Sequence, residues 1–382
     1  MAALLPFEAK GLRPLAAELD ELRGRLDARG PLVIAWEGQL RRDLEAASVQ
    51  ASVAMEGVPV TLEQVRHILA GDPPASVAPD DADLVRGYRE AMVYVQSRAD
   101  DPVLEWDPEL VKAIHHRVLA GRPGAGRYGG ERFVVRDATG ELVFTPPQEG
   151  VDRLVAEVCE RMNAFDDHPA VRAAWVHVAV AAVHPFKDGN GRTARVLAAL
   201  AMYRGGFRRP ELCSLEEWWG RHRQAYDHAF ACLGSRFDRR ADVTPFIRAH
   251  LEAQRSQVRA LALSEETNRR VWDALGRACE RAGLPDRAAF ALWDAYNARE
   301  ITRSYYRAVT DVGDTSATSD FNGLRAAGLL VAQGRTRGRR YVAGPRLYPA
   351  IAEELAIPGA EHADRSIIVG RLTEQVARSH AR

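Results

Sequence analysis

His184-Pro-Phe-Lys-Asp-Gly-Asn-Gly-Arg-Thr-Ala-Arg195 is the most informative stretch of this chain. The Ala/Val-rich run before it, Ala170–Val183, reads as a helix that delivers His184 to its end. Asp188-Gly-Asn-Gly191 reads as a loop, because its two glycines permit unusual dihedrals and close backbone approach. A second helix follows over Thr193–Tyr203, and Gly205-Gly206 ends it. The loop therefore meets the unpaired N–H groups and the positive dipole end of a helix opening near Arg192–Thr193. Such a loop binds anions, phosphate first among them. Arg192 and Arg195 lie three apart on one helix face, where their forked guanidinium groups can grip phosphates. Asp188 offers a hard oxygen to Mg2+, which usually binds one or two carboxylates plus phosphates. His184 is the natural general base, since imidazole titrates near neutral pH.

The segment resembles the Fic signature, His-Pro-Phe-x-Asp/Glu-Gly-Asn-Gly-Arg-x-x-Arg, at every specified position. The resemblance implies a mainly α fold: a Fic-type helical core, with the motif between two central helices, and a β-hairpin flap. It implies a protein adenylyltransferase, moving AMP from ATP to a Ser, Thr or Tyr hydroxyl of a protein. Some members of the family move other phosphate-containing groups. His184 is then the catalytic base and Asp188 the magnesium ligand. The α-phosphate falls to Asn190 and the loop amides of Gly189, Gly191 and Thr193, and the outer phosphates to Arg192 and Arg195. Tyr226, in Gln224-Ala-Tyr-Asp-His228, stands where related proteins place a residue near the nucleotide base. The alternative for Tyr226 is a core helix tyrosine.

Two further segments agree with the resemblance. In Gly121–Pro147, Arg132–Arg136 and Glu141–Phe144 flank Asp137-Ala-Thr-Gly140, which reads as a hairpin. In the family this is the flap that docks the target by strand pairing, so a protein substrate is expected on residues 127–147, with self-modification as well. Ser52-Val-Ala-Met-Glu-Gly57 matches the family's inhibitory pattern, Ser/Thr-x-x-x-Glu-Gly/Asn. The match implies that Glu56, on an N-terminal helix, pairs with Arg195 and obstructs the γ-phosphate. Glu56 and phosphate would compete for one guanidinium, so ATP could bind unproductively. In some relatives this glutamate instead orients a water that removes AMP.

Composition bounds the rest. The 382 residues fit about two or three domains. The division expected is an inhibitory helical region over 1–75, a catalytic core over 76–282 and a winged-helix domain over 283–382, parted at Gly283-Leu-Pro-Asp286. Fifty-two basic residues balance 52 acidic ones, which gives no global field toward nucleic acid or membrane. Cys159, Cys213, Cys232 and Cys279 are too scattered for a zinc site and are expected to be reduced thiols of a cytoplasmic protein. No signal peptide is expected, and no apolar run of roughly 18 residues is present.

Toward the C-terminus, helices at Glu300–Tyr306 and Ser316–Gly328, then Leu329–Gln333 and Arg339–Ala343 about a turn, follow the order of a winged helix–turn–helix. Residues 299–346 hold nine arginines against four acids, so DNA contact is one expectation and dimerisation or target docking the other. A DNA-binding regulator with a vestigial core is the reading from another class, and the intact motif argues against it. Thr61, with Gln64 three residues on, is expected to cap a helix.

Overall fold

The computed structural model describes residues 3–28, 34–71, 73–129, 135–136, 142–209, 213, 215–334 and 339–380. The chain divides into two compact units, Met1–Pro31 with Glu37–Arg259 and Leu32–Trp36 with Ala260–Arg382. The division falls inside the helix Thr244–Arg281 rather than at Gly283–Asp286.

Two helices make the centre of the first unit. Helix α7 (Pro169–Val183) is apolar apart from Arg172 and His177 and almost wholly buried, as a core helix must be. Helix α8 (Asn190–Arg204) is nearly as buried and packs along α7. Helices α4 (Pro79–Arg98) and α5 (Pro108–Val118) flank α8, and α6 (Val151–Ala164) flanks α7. Alanines at 173, 174, 194, 198 and 201 let these helices approach closely. A Cβ on Gly87 of α4 would stand 2.3 Å from the Arg117 carbonyl of α5, so this crossing requires glycine.

Before this core come α1 (Arg13–Asp27), α2 (Ile34–Met55) and α3 (Leu62–Leu69). Thr61 caps α3 through a reciprocal box with Gln64, as its sequence predicts. Asp107 caps α5, accepting from the Leu110 N–H at 2.6 Å, with Pro108 at the first helical position.

The expected hairpin is present as β1 (Val135–Arg136) and β2 (Leu142–Phe144), paired antiparallel with Val135 opposite Phe144. Its turn residues, 137–141, lie outside the described residues. Beyond α8 the sequence predicts helix from Leu215 to Cys232, and the structure breaks it. Helices Glu216–Arg221 and Arg223–Ala229 meet at His222, whose backbone leaves the helical region, and a 3-10 turn ends at Leu233.

The second unit has helices Ala288–Tyr296, Arg303–Thr310 and Asp314–Ala326, then strands β3 (Leu330–Gln333) and β4 (Arg340–Ala343) in an antiparallel pair. Ile301 adds an antiparallel bridge to Tyr341. This is the element order expected for the segment. The buried Asp320 carboxylate ties it together, accepting both Arg287 donors, at 2.8 and 3.0 Å, and the Tyr306 hydroxyl at 2.8 Å. Arg299, Arg307 and Arg340 each pair with an acid of the same unit (Asp294, Asp314 and Glu300). Three of the nine arginines counted over residues 299–346 are thus paired locally. Among the described residues no helix is long and apolar enough to cross a membrane.

Candidate active site

Pro185 disfavours the right-handed helical conformation for the residue before it, and α7 stops there. His184 takes a left-handed conformation, φ 47° and ψ 58°, which is uncommon outside glycine. The turn aims its imidazole out of the helix end. Nδ1 lies 3.3 Å from the Ala181 carbonyl, so the proton belongs on Nδ1 and the lone pair on Nε2, the tautomer a base needs. Burial lowers the His184 pKa, opposed by that carbonyl, Glu56 and Asp188. The ring is therefore neutral at pH 7.

The loop that follows is braced from within. Asn190 accepts from the Phe186 N–H at 3.0 Å and donates to the Phe186 carbonyl at 2.7 Å. Its carboxamide thus holds the loop closed, where the sequence assigns it to phosphate. Gly189 precedes α8 with φ +75°, and its N–H meets its neighbour Asp188 Oδ1 at 2.6 Å. Thr193 is wholly buried and its N–H bonds to the Gly189 carbonyl, so it supports the turn from inside. Gly191 faces the Glu56 carboxylate.

Arg192 is 2% exposed. One of its nitrogens lies 3.4 Å from each Asp188 oxygen, while Nε and Nη1 have no partner among the described residues. A buried cation with unpartnered donors at a helix N-terminus fits an anionic ligand. The Asp188 side chain itself is 66% exposed.

Arg195 is buried and engaged on all sides. Nε donates to Ser52 Oγ at 3.0 Å and Nη2 to the Ser52 carbonyl at 3.1 Å. Nη2 also meets Glu56 Oε1 at 2.9 Å, and Nη1 the Tyr226 hydroxyl at 3.4 Å. Burial works against its charge, but Glu56, then Tyr226, Tyr88 and Glu216, outweigh it, and its pKa stands above the ordinary guanidinium value. The chain of contacts continues inward: Ser52 bonds Tyr88, and Tyr88 donates to the buried Glu216 carboxylate. Tyr88→Phe takes one donor from that carboxylate. It is expected to lower stability by roughly 1–3 kcal/mol, read as a lower urea midpoint at unchanged slope.

Glu56 lies over the first turn of α8. A Cβ on Gly191 would stand 2.4 Å from its Oε1, so glycine there makes room for the carboxylate. Tyr226 is buried against Leu215, Trp219 and Ala253, and its hydroxyl sits between Arg195 and His177 Nε2, the latter at 3.1 Å. It braces the arginine from below and presents no open ring face for a base.

Sequence reasoning missed Tyr88, Glu216, His177 and His115, and gave Ser52 no role beyond its pattern. Ser52 and Glu56 do stand four apart, on one face of a helical turn, and that signal was available. His115 joins the loop from α5, with Nε2 2.9 Å from the Asp188 carbonyl, and burial drives its pKa down to about 4.

Residues 105–202 match the Fic/DOC family. The chain is 31% identical over 208 residues to the protein adenylyltransferase Fic of Nematostella vectensis, covering 50% of this chain and 44% of that protein. With protein adenylyltransferase fic-1 of Caenorhabditis elegans it shares 30% identity over 180 residues, 44% of this chain and 34% of the relative. The chain spans less than half the length of these curated relatives. Among solved structures, a Fic family protein from Desulfovibrio desulfuricans G20 is alike in fold. Its TM-score is 0.59 at 22% identity, over 89% of this chain and 98% of that one. Fic-1 from Caenorhabditis elegans gives a TM-score of 0.53 at 26% identity, over 67% of this chain and 73% of that one. The stretch that matches the Fic/DOC family takes in α5, the hairpin, α6, α7, the motif loop and most of α8.

Proposed function

We propose that this chain is a protein adenylyltransferase, held off by Glu56 in the conformation described. In the reaction, the acceptor hydroxyl of a protein attacks the α-phosphorus of ATP. A new O–P bond forms, the bond between the α-phosphorus and the bridging oxygen breaks, and pyrophosphate leaves. The hydroxyl proton passes to Nε2 of His184, whose neutral ring and tautomer suit a base. Arg192 and Arg195 hold the outer phosphates, and the N-terminal turn of α8 faces the α-phosphate. The observation that carries the reading is Arg192, buried at that turn with two unpartnered donors.

Asp188 fits a magnesium ion that arrives with ATP. Its carboxylate is exposed, and among the described residues no group of three ligating side chains forms a resident metal site. One carboxylate plus phosphates and water is the usual donor set for this ion, and its charge would offset that of the phosphates. A protein substrate would dock along the flap by pairing with an edge strand. The adenylyltransferase names of the relatives support adenine as the base.

The test is α-labelled ATP and magnesium incubated with the Glu56→Gly protein and a cell lysate. Label is expected on protein, and none with the added His184→Ala change. Label recovered only as free nucleotide would overturn the reading. Removal of AMP is the second reading, favoured by one observation: the Glu56 carboxylate lies against Gly191 of the motif loop, so it and His184 could act on one water. It predicts release of AMP from a modified protein by wild type and none by Glu56→Gly.

A further inference from the structure

His115 takes no part in the chemistry above, yet it is 1% exposed and its ring is engaged on every side. Nδ1 accepts the Gly126 N–H at 2.8 Å. The proton therefore sits on Nε2, which donates to the Asp188 carbonyl at 2.9 Å. One face of the ring stacks on Phe186, with centroids 3.6 Å apart and planes 4° from parallel. A Cβ on Gly189 would come within 3.4 Å of Nε2.

The two hydrogen bonds point to different parts of the site. Asp188 begins the turn that leads into α8 and the phosphate-binding arginines. Gly126 belongs to the segment that enters the flap. That segment is fixed again three residues on, where the Gly129 N–H donates to the Pro185 carbonyl at 2.9 Å and the Tyr128 ring tilts over Phe186. The flap exit is held elsewhere, by Thr145 pairing with Ser235 and Phe237. The entry of the flap is thus referenced to the motif loop, and His115 is the side chain that bonds to both.

We propose that His115 is a positioning residue for group transfer. It fixes the flap entry in register with the phosphate-binding loop, so that a hydroxyl docked on the flap meets the α-phosphorus. The proposal rests on the AMP-transfer reading. Its physical basis is that a misplacement of about 1 Å far from the reacting atoms can cost roughly 100-fold in rate.

Two variants in the Glu56→Gly background separate the links. His115→Phe keeps the stack and loses both hydrogen bonds. His115→Gln retains a donor for the Asp188 carbonyl and loses the acceptor for Gly126. His115→Phe is expected to lower transfer of label to protein by roughly 100-fold, with ATP binding in equilibrium dialysis changed by less than about tenfold. For His115→Gln, ATP binding is expected at the parent's value while transfer still falls.

Hydrogen exchange supplies a readout independent of activity. Amides 122–129 are expected to lose protection in both variants, and amides 186–190 in His115→Phe alone. Unchanged protection at 122–129 would overturn the proposal whether or not the parent transfers AMP. So would loosened amides with transfer at the parent's rate. A parent that transfers no label, with exchange behaving as expected, would count against the AMP-transfer reading and leave the anchoring by His115 supported.

Discussion

His184→Ala protein is expected to lose transfer of AMP by roughly 100- to 10,000-fold while still binding ATP, because a positioned general base contributes about that much. None of the groups that would hold phosphate is touched by the change. Arg192 and Arg195 reach the cleft from α8, and Asn190 closes the loop on Phe186 without help from the imidazole. ATP affinity measured by equilibrium dialysis should therefore stay near the parent's, and the loss should appear in the turnover number. The pH profile gives a second reading of the same residue. A base works only when neutral, so activity falls as pH drops through its pKa. Burial lowers the His184 pKa from 6.5, which places the acid limb below 6.5 rather than at it. Glu56 raises that pKa, so in a Glu56→Gly background the limb should move lower still. An acid limb at or above 6.5 in that background, or full activity without the imidazole, would remove His184 from the role.

Much of this was legible because it is local. The anion-binding turn, the two helices around it and the capping box at Thr61 depend on residues a few positions apart, and their physics is written in spacing. The hairpin was legible for the same reason. What surrounds Arg195 was not. Ser52 reaches it across 143 positions and Tyr88 reaches Glu216 across 128, and no periodicity connects such partners. His115 meets the Asp188 carbonyl across 73, and that bond is made to backbone, which carries no sequence signal. Asn190 and Tyr226 teach the converse. Both lie at the site, but the folded chain uses their polar atoms to hold the loop and the arginine, a choice set by tertiary packing. The break at His222 was missed because an apolar helical pattern continues across it while the backbone does not.

Glu56→Gly is expected to raise transfer of AMP, self-modification included, by roughly 10- to 100-fold, the range set by one charge-assisted hydrogen bond of about 1.5–3 kcal/mol. The carboxylate is 2.9 Å from Arg195 and its side chain is 22% exposed, so the pair is stronger than a solvated one and still open to competition from the cleft. A terminal phosphate that approaches Arg195 must displace it. Removing it should not dismantle the site, because Arg195 keeps its bonds to Ser52 and Tyr226, and Glu216 remains as a buried carboxylate behind Tyr88. Nor should the helix suffer: α2 ends at Met55, so glycine at 56 falls past the last helical residue, where its conformational freedom costs little. Glu56→Gln separates charge from shape. It keeps the length and a neutral hydrogen bond, so its activity should lie between wild type and Glu56→Gly. Equal activity in Glu56→Gly and wild type, in a protein that His184→Ala inactivates, would mean that the ion pair holds α2 in place and does not restrain the reaction.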